Sequence, residues 1–265
     1  MAFQLDHVFI LCDRGAPEAD ALVRLGIREG SGNTHPGQGT ACRRFFFSNV
    51  YLELLWVEDA AEARSEPVWR TRLLDRWTLR RAGACPFGVI LRPSFDSVQA
   101  PLPFPTWRYT PPYLPAGLAI DVADGTPLEE PAVFHMGVQR SRGRTLWEPM
   151  GHEPPVRTVS RVSIGGPLPL VPSAARRALE EVRAVAFGDA SAYLLTLDFS
   201  DTAGAVADLR TDLPLVLRLR IGECRPDYME RAPAFGQEVG GSTPPPGSRV
   251  AQRKCRVTFR RRIAA

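Results

Sequence analysis

The sequence predicts an α+β fold in which short strands outnumber short helices. Two observations lead to this class. The 265 residues include 25 prolines and 22 glycines, which favour many turns over long helices. The first elements follow the order strand, helix, strand, strand, strand, and residues 157–199 repeat the beginning of that order with different loops. Two loosely similar modules are therefore predicted.

The first module begins with an apolar run at 4–12, which predicts a buried strand. Apolar residues at helical spacing predict a helix over 16–26, with Gly26 as its C-terminal stop. A short strand is expected near 27–29, followed by the glycine-rich loop 30–39. Alternating and apolar residues then predict a hairpin made of 40–48 and 50–57.

The composition divides the chain into four regions. Residues 1–57 form the first module, and 58–84 are a helical connector rich in Arg and Glu. Residues 85–220 are expected to form a second, divergent module with an insertion rich in proline and aromatic residues. Residues 221–265 are a basic tail, which we expect to be poorly ordered.

The net charge of +4 depends on the end of the chain. Residues 249–265 hold seven basic residues and no acidic one, so the remainder carries 26 basic and 29 acidic residues. The body of the protein therefore gives no general argument for nucleic-acid binding. A solvated basic terminus is the simpler interpretation of the tail.

Five widely spaced cysteines form no C-x-x-C pair, which argues against a disulfide framework and a structural zinc site. The first residues enter a strand without a charged leader or a long apolar segment. No run approaches the roughly 20 apolar residues needed to span a bilayer. These features predict a cytoplasmic protein without a membrane partner.

Two strands each carry one metal-competent side chain in an apolar run. Alternation places Leu5, His7 and Phe9 on one face of the first strand. It places Tyr51, Glu53 and Leu55 on one face of another. A buried carboxylate is costly unless a cation, an arginine or several donors compensate it. Any chemistry is therefore expected near His7 and Glu53.

Each of these residues also has a structural interpretation. His7 can be a core histidine bonded to a backbone carbonyl or to Glu53 itself. Glu53 can pair with Arg43 or Arg44, of which alternation lets only one share its face. An arginine on that face either anchors an acidic ligand or neutralises Glu53.

The loop between the predicted helix and hairpin reads Asn33-Thr34-His35-Pro36-Gly37-Gln38-Gly39-Thr40. The glycines and the proline are typical of a turn, and His35 can be no more than part of it. Binding residues also concentrate on loops fixed by a rigid scaffold. His35, Gln38 and Thr40 are therefore candidate substrate-binding residues, and His35 is a candidate catalytic residue.

The combination of Asp6-His7-Val8, the His35 to Thr40 loop and Tyr51-Leu52-Glu53-Leu54-Leu55 resembles the glyoxalase-like branch of the vicinal oxygen chelate superfamily. The resemblance is good across 4–57, weaker across 85–138, thin across 157–220, and does not cover 221–265. It implies paired βαβββ modules whose curved, mostly antiparallel sheets enclose a cavity. Dimers are common in that superfamily, which allows a homodimer here.

The resemblance also implies a metal site. In metal-dependent members, a histidine on the first strand of a module and a glutamate on its last bind a divalent ion that polarises substrate oxygens. His7 and Glu53 match those positions, and the ion would be Zn²⁺, Fe²⁺, Mn²⁺ or Ni²⁺. The second module departs from the pattern, because the strand 85–91 offers no histidine. His135 is the expected third ligand. The resemblance further favours Arg43 as the arginine that faces the cavity.

Two functions remain open at this point. One is a metal-dependent lyase, isomerase or dioxygenase acting on a small oxygenated molecule, with Glu53 or His35 as the proton-transferring residue. The other is a metal-free protein that binds and sequesters a small molecule. The pair of His7 and Glu53 favours the enzyme, and the incomplete second module favours the binding protein.

Overall fold

The computed structural model describes residues 3–94, 101–137, 148–200 and 205–219. The basic tail and a late strand expected around 256–260 lie outside the described residues. Within them the fold is α+β, mostly strands with few helices, and a curled sheet forms a half-barrel. This confirms the predicted fold class. No helix in the described ranges is both long and apolar enough to span a bilayer.

Eight strands form the first sheet, in the order β2-β3-β4-β1-β5-β8-β7-β6. They are β1 (Phe3–Leu11), β2 (Asn33–His35), β3 (Thr40–Phe46), β4 (Tyr51–Val57), β5 (Phe87–Pro93), β6 (Thr106–Tyr109), β7 (Ile120–Ala123) and β8 (Ala132–Met136). Each half of the sheet has the same plan, because β1 lies parallel to β4 and β5 lies parallel to β8. The antiparallel pairing of β1 with β5 joins the two halves.

Five strands form a separate sheet, in the order β10-β9-β11-β13-β12. They are β9 (Val159–Gly166), β10 (Ala186–Asp189), β11 (Leu194–Phe199), β12 (Ala205–Asp208) and β13 (Leu215–Leu219). The strands of 85–220, which the sequence groups as one module, are thus divided between the two sheets.

Short helices connect these strands. They are α1 (Ala19–Arg24), α2 (Ala60–Arg64), α3 (Leu73–Leu79), α4 (Ala174–Glu181) and a 3-10 helix at Val68–Thr71. The Asp59 side chain caps α2 by accepting hydrogen bonds from the backbone N–H groups of Ala61 and Glu62. The expected strand at 27–29 is wrong, since the strand in this region is β2, which lies within the predicted loop 30–39.

The two faces of the first sheet carry different apolar clusters. The larger cluster includes Val8, Leu54 and Val89 and continues into strands of the second sheet, such as Ile164 and Leu197. The smaller cluster lies on the opposite face, as alternation requires, and includes Phe9, Leu55, Ile90 and Phe134 together with Leu73 of the connector. The face of this smaller cluster is called the site face below.

Gly88 of β5 lies opposite Phe9 of β1 in the antiparallel register. An added Cβ at Gly88 would lie 2.1 Å from atoms of the Phe9 ring. Glycine at this position therefore lets the ring cover the strand where β1 and β5 join the two halves of the sheet.

We expect Gly88→Ala to lower the free energy of unfolding by about 2 kcal/mol, because the ring must leave its packed position. Gly188→Ala in β10 is the matched control, since an added Cβ there has no atom within 4 Å. The control should change stability by no more than about 0.5 kcal/mol. Urea unfolding measures both, and equal losses would show that the Phe9 contact is unimportant.

Candidate functional site

His7 of β1 and Glu53 of β4 meet on the site face, as the sequence predicts. The parallel register sets Phe9 beside Glu53 and His7 beside Tyr51. His7 Nε2 lies 3.4 Å from Glu53 Oε2. The two residues are 5% and 6% exposed, so both polar groups are removed from water. Each therefore needs a partner inside the protein.

A bulge in β1 fixes the orientation of His7. The pairing of β1 with β5 shifts register between Leu5 and His7. Leu5 consequently packs against the larger cluster, whereas Phe9 stays on the site face. Strict alternation, which predicts Leu5, His7 and Phe9 on one face, is therefore wrong for Leu5.

The bulged residue, Asp6, holds the ring of His7 from its far side. Asp6 Oδ2 lies 2.7 Å from His7 Nδ1, and Asp6 Oδ1 lies 3.4 Å from Arg92 Nε. The Tyr51 ring stacks on the imidazole with centroids 4.1 Å apart, and Tyr51 Oη lies 3.3 Å from His7 Nε2. With Nδ1–H donated to Asp6, Nε2 is the nitrogen directed at Glu53.

The contacts between His7 and Glu53 shift the pKa of each side chain towards its charged form. Burial alone would lower the pKa of His7, but hydrogen bonds and charges from Asp6 and Glu53 outweigh it and raise the pKa above 6.5. Burial alone would raise the pKa of Glu53, but the hydrogen bond and charge of His7, with smaller effects of His35 and Cys42, lower it to about 2. Each partner therefore favours the charged form of the other.

The loop before β3 brings the predicted substrate-binding residues together. His35 Nδ1 lies 2.8 Å from Thr40 Oγ1, and Gln38 Nε2 donates to the same oxygen at 2.8 Å. Tyr113 Oη donates to Gln38 Oε1 at 3.2 Å, and the Tyr113 ring lies 4.8 Å from that of His35. Asn33 Nδ2 lies 3.0 Å from His35 Nε2. Burial lowers the pKa of His35, so this imidazole is neutral at pH 7.

Cys42 of β3 joins this group, which the sequence analysis missed. One ligand atom from each of His35, Cys42 and Glu53 lies within 4.8 Å of the others, and all three residues are buried. Burial and the charge of Glu53 raise the pKa of Cys42 far above its usual range, and the thiol donates a hydrogen bond to Glu53. Alternation along β3 is the sequence signal that could have identified Cys42. It places Cys42 on the same face as Arg44, which is the cross-strand neighbour of Glu53.

The site-face arginine is Arg44, so the prediction that Arg43 faces the cavity is wrong. Arg43 pairs in register with Leu54, which belongs to the opposite face. Its guanidinium donates to both Glu29 oxygens, at 2.7 and 2.6 Å, and to Asp20 at 2.9 Å. Arg43 is therefore engaged by Glu29 and Asp20 on the opposite face.

Arg44 lies over aromatic rings at the edge of the site. Its guanidinium carbon is 5.2 Å from the centroid of the Phe46 ring and 6.0 Å from that of Tyr51. The Nε group donates to the backbone oxygen of Ser31 at 2.7 Å. These contacts set a positive charge beside the histidines without an ion pair to Glu53.

The structure does not bring His135 to the other candidates. His135 of β8 is in register with Leu91 of the larger cluster and with Asp121. Its Nδ1 lies 3.2 Å from Asp121 Oδ2, and its ring meets that of Phe3 edge-on at 5.4 Å. In the described ranges, no group of three potential ligands includes His135.

Comparison with protein families agrees with this arrangement. Residues 5–94, from the strand of His7 through the strand that joins the two halves of the sheet, match the family described as Glyoxalase-like domain. Residues 5–94 are similar to a glyoxalase-like domain. The resemblance found in the sequence is thereby confirmed. Among curated proteins, none matches the sequence significantly.

Solved structures resemble the chain at low identity. A hypothetical protein from Staphylococcus aureus is 11% identical and covers 82% of this chain and 98% of its own, with a TM-score of 0.44. A hypothetical protein from Bacillus halodurans, 11% identical, covers 53% of this chain and 98% of its own, with a TM-score of 0.34. Methylmalonyl-CoA epimerase from Mycobacterium tuberculosis, 13% identical, covers 52% and 89%, with a TM-score of 0.31.

The raised pKa of His7 makes the stability of the folded protein depend on pH. The folded protein holds the His7 proton more tightly than the unfolded chain does. The contribution of His7 to the free energy of unfolding is therefore complete below about pH 6.5, and it is lost as the pH rises through the pKa of His7 in the folded protein. We expect metal-free His7→Gln to be less stable than wild type by about 3 kcal/mol near pH 6, and by less near pH 9.

His152→Gln is the control for this measurement. His152 is also buried, but burial lowers its pKa, so its contribution is complete above about pH 6.5 and is lost as the pH falls. The loss of unfolding free energy in His152→Gln should therefore stay constant between about pH 6.5 and pH 9. Urea unfolding at each pH, in the presence of a chelator, measures both variants. A His7→Gln deficit that is constant with pH would show that His7 is neutral in the folded protein.

Proposed function

We propose that this protein is a glyoxalase-like enzyme that acts on a small oxygenated molecule with the help of one divalent metal ion. The observation that carries the proposal is the buried pair of His7 and Glu53, with Cys42 hydrogen-bonded to the same carboxylate. The proposed ligands are Glu53, Cys42 and His7; His35, whose ligand atom lies within 4.8 Å of those of Cys42 and Glu53, is the alternative nitrogen ligand. When bound, the ion would polarise an oxygen atom of the substrate.

The donor set fits such an ion, and Zn²⁺ best of the four candidates. Carboxylate, imidazole and thiolate are all zinc ligands, and a thiolate is less suited to Mn²⁺. Two donors about 2 Å from a tetrahedral ion lie roughly 3.3 Å apart. The separation of 3.4 Å between His7 Nε2 and Glu53 Oε2 agrees with this value. Three protein ligands also leave a fourth position for substrate, as in catalytic zinc sites.

The surrounding residues support these roles. Asp6 accepts the Nδ1–H of His7, a contact that fixes the ring and makes Nε2 a stronger donor to a metal. Binding must remove the protons of His7 and Cys42, so metal affinity should rise with pH. Cys42 replaces His135 as the proposed third ligand.

Proton transfer is assigned to His35. This imidazole is neutral at pH 7, whereas the pKa of about 2 makes Glu53 a weak base. Thr40 holds Nδ1, and the exposed Asn33 contacts Nε2, which is the nitrogen that would receive a proton. Gln38 and Arg44 would orient the substrate, and Arg44 would favour an acidic one.

A metal-free binding protein is the second candidate, and one observation favours it. The His7 imidazolium and the Glu53 carboxylate already compensate each other without a metal ion. In that case the buried pair would be a structural ion pair, and the loop of His35, Gln38 and Thr40 would contact a ligand without catalysing a reaction.

Zinc titration of the full chain, stripped with a chelator, separates the two candidates. We expect wild type to bind one equivalent of Zn²⁺. Glu53→Gln, His7→Gln and Cys42→Ser should each lower the affinity at least about tenfold, because each removes a ligand. Isothermal titration calorimetry measures stoichiometry and affinity, and circular dichroism verifies that each variant is folded.

Matched controls make this test specific. His135→Gln and Cys12→Ser change buried residues of the same types and should bind Zn²⁺ within about twofold of wild type. Weaker binding in His35→Gln, with unchanged binding in His7→Gln, would make His35 the nitrogen ligand. Absence of saturable binding to wild type would favour the metal-free protein. Weaker binding in His135→Gln, with unchanged binding in Cys42→Ser, would restore His135 as the third ligand.

A further inference from the structure

A cavity lies on the side of the first sheet opposite the site face. Its volume is about 780 Å³, within the range of small-molecule pockets. The walls come from the beginning of β1, the turn before β4, the strand β9 and the segment that follows α4. Leu5 and Val162 in these walls pack with the larger apolar cluster, so the cavity is separate from the His7–Glu53 site.

The walls combine apolar side chains with an excess of positive charge. The apolar part includes Phe3, Leu5, Val162, Val185 and Phe187. Among the described lining residues, the charged ones are Arg92, Arg161, Arg183 and Glu180. Three arginines and one glutamate therefore line the cavity. This combination is suited to an organic anion with an apolar body.

The one carboxylate does not neutralise this charge. Glu180 Oε1 lies 3.7 Å from Nε of Arg176, a residue outside the lining. Within the described ranges, the side chains of Arg161 and Arg183 make no hydrogen bond or ion pair. Arg92 is 7% exposed and contacts Asp6, so it adds a buried, fixed guanidinium to the wall.

Arg183 stands at a backbone position that favours glycine. Its φ is +52°, in the left-handed region that follows the end of α4. A non-glycine residue in this conformation is strained, and such residues are enriched at functional sites. The segment after α4 thus presents an arginine to the cavity from a position where an uncharged glycine would be conformationally easier.

The basic end of the chain does not suit the cavity as an occupant. Residues 249–265 contain seven basic residues and no acidic one. Like charges would face each other if this segment entered between the arginines. A separate anionic molecule matches the walls in both charge and polarity.

We propose that this cavity binds an amphipathic organic anion, whose carboxylate contacts Arg183, Arg161 and Arg92 and whose hydrocarbon body packs against Phe3, Val162 and Phe187. The cavity is separate from the proposed metal site, and Arg92 connects the two through its contact with Asp6, which holds His7. It gives the protein a second ligand, of the class of medium-chain fatty acids.

Calorimetric titration of the full chain with dodecanoate tests this proposal. We expect saturable binding of one equivalent to wild type, at least fivefold weaker binding to Arg183→Gly, and at least fivefold weaker binding of the uncharged analogue dodecanol. Arg183→Gly relieves the strained backbone, so its melting temperature should equal or exceed that of wild type. Weaker binding then cannot be ascribed to unfolding.

Arg72→Gly is the matched control, because Arg72 is also an arginine at positive φ, +57°, and lies outside the cavity lining. It should bind dodecanoate as wild type does. Arg161→Met supplies a second variant in the cavity, with the same expected loss as Arg183→Gly. No saturable binding to wild type, equal binding of dodecanol, or equal effects of Arg183→Gly and Arg72→Gly would each overturn the proposal.

Discussion

A carboxylate and an imidazole from distant parts of the chain share one buried position, and the arrangement around them depends on this contact. Glu53 would be costly on the site face without a cation beside it. His7 supplies that cation, and Asp6 holds the proton on His7 by accepting its Nδ1–H at 2.7 Å. The bulge in β1 provides the geometry, because it sets Asp6 behind the ring and Nε2 towards Glu53.

Much of the first half of the fold could be predicted from local pattern. The hairpin of β3 and β4 was confirmed, because alternation and turn residues specify it within a short stretch. The meeting of His7 with Glu53 followed from the resemblance to the glyoxalase-like family, because alternation alone does not make β1 and β4 neighbours. The division of 85–220 between two sheets could not be predicted, because it depends on pairing of strands far apart in the sequence.

The errors at the site have specific physical causes. A bulge changes the face of a residue without leaving a mark in the alternation, as at Leu5. Arg43 and Arg44 are adjacent and chemically identical, so only the register with Glu53 decides which of them faces the site. Cys42 carries no motif of its own. Its importance comes from the neighbouring strand, where Glu53 accepts its hydrogen bond.

Anomalous diffraction at the zinc edge, from crystals of the full chain grown with Zn²⁺, tests most directly whether the buried pair is a metal site. The predicted result is one anomalous peak in contact with Glu53 Oε2, His7 Nε2 and Cys42 Sγ, with Asp6 still bonded to His7 Nδ1. A map without a peak at Glu53, in which His7 Nε2 remains on the carboxylate, would contradict the metal site and leave a structural ion pair in its place.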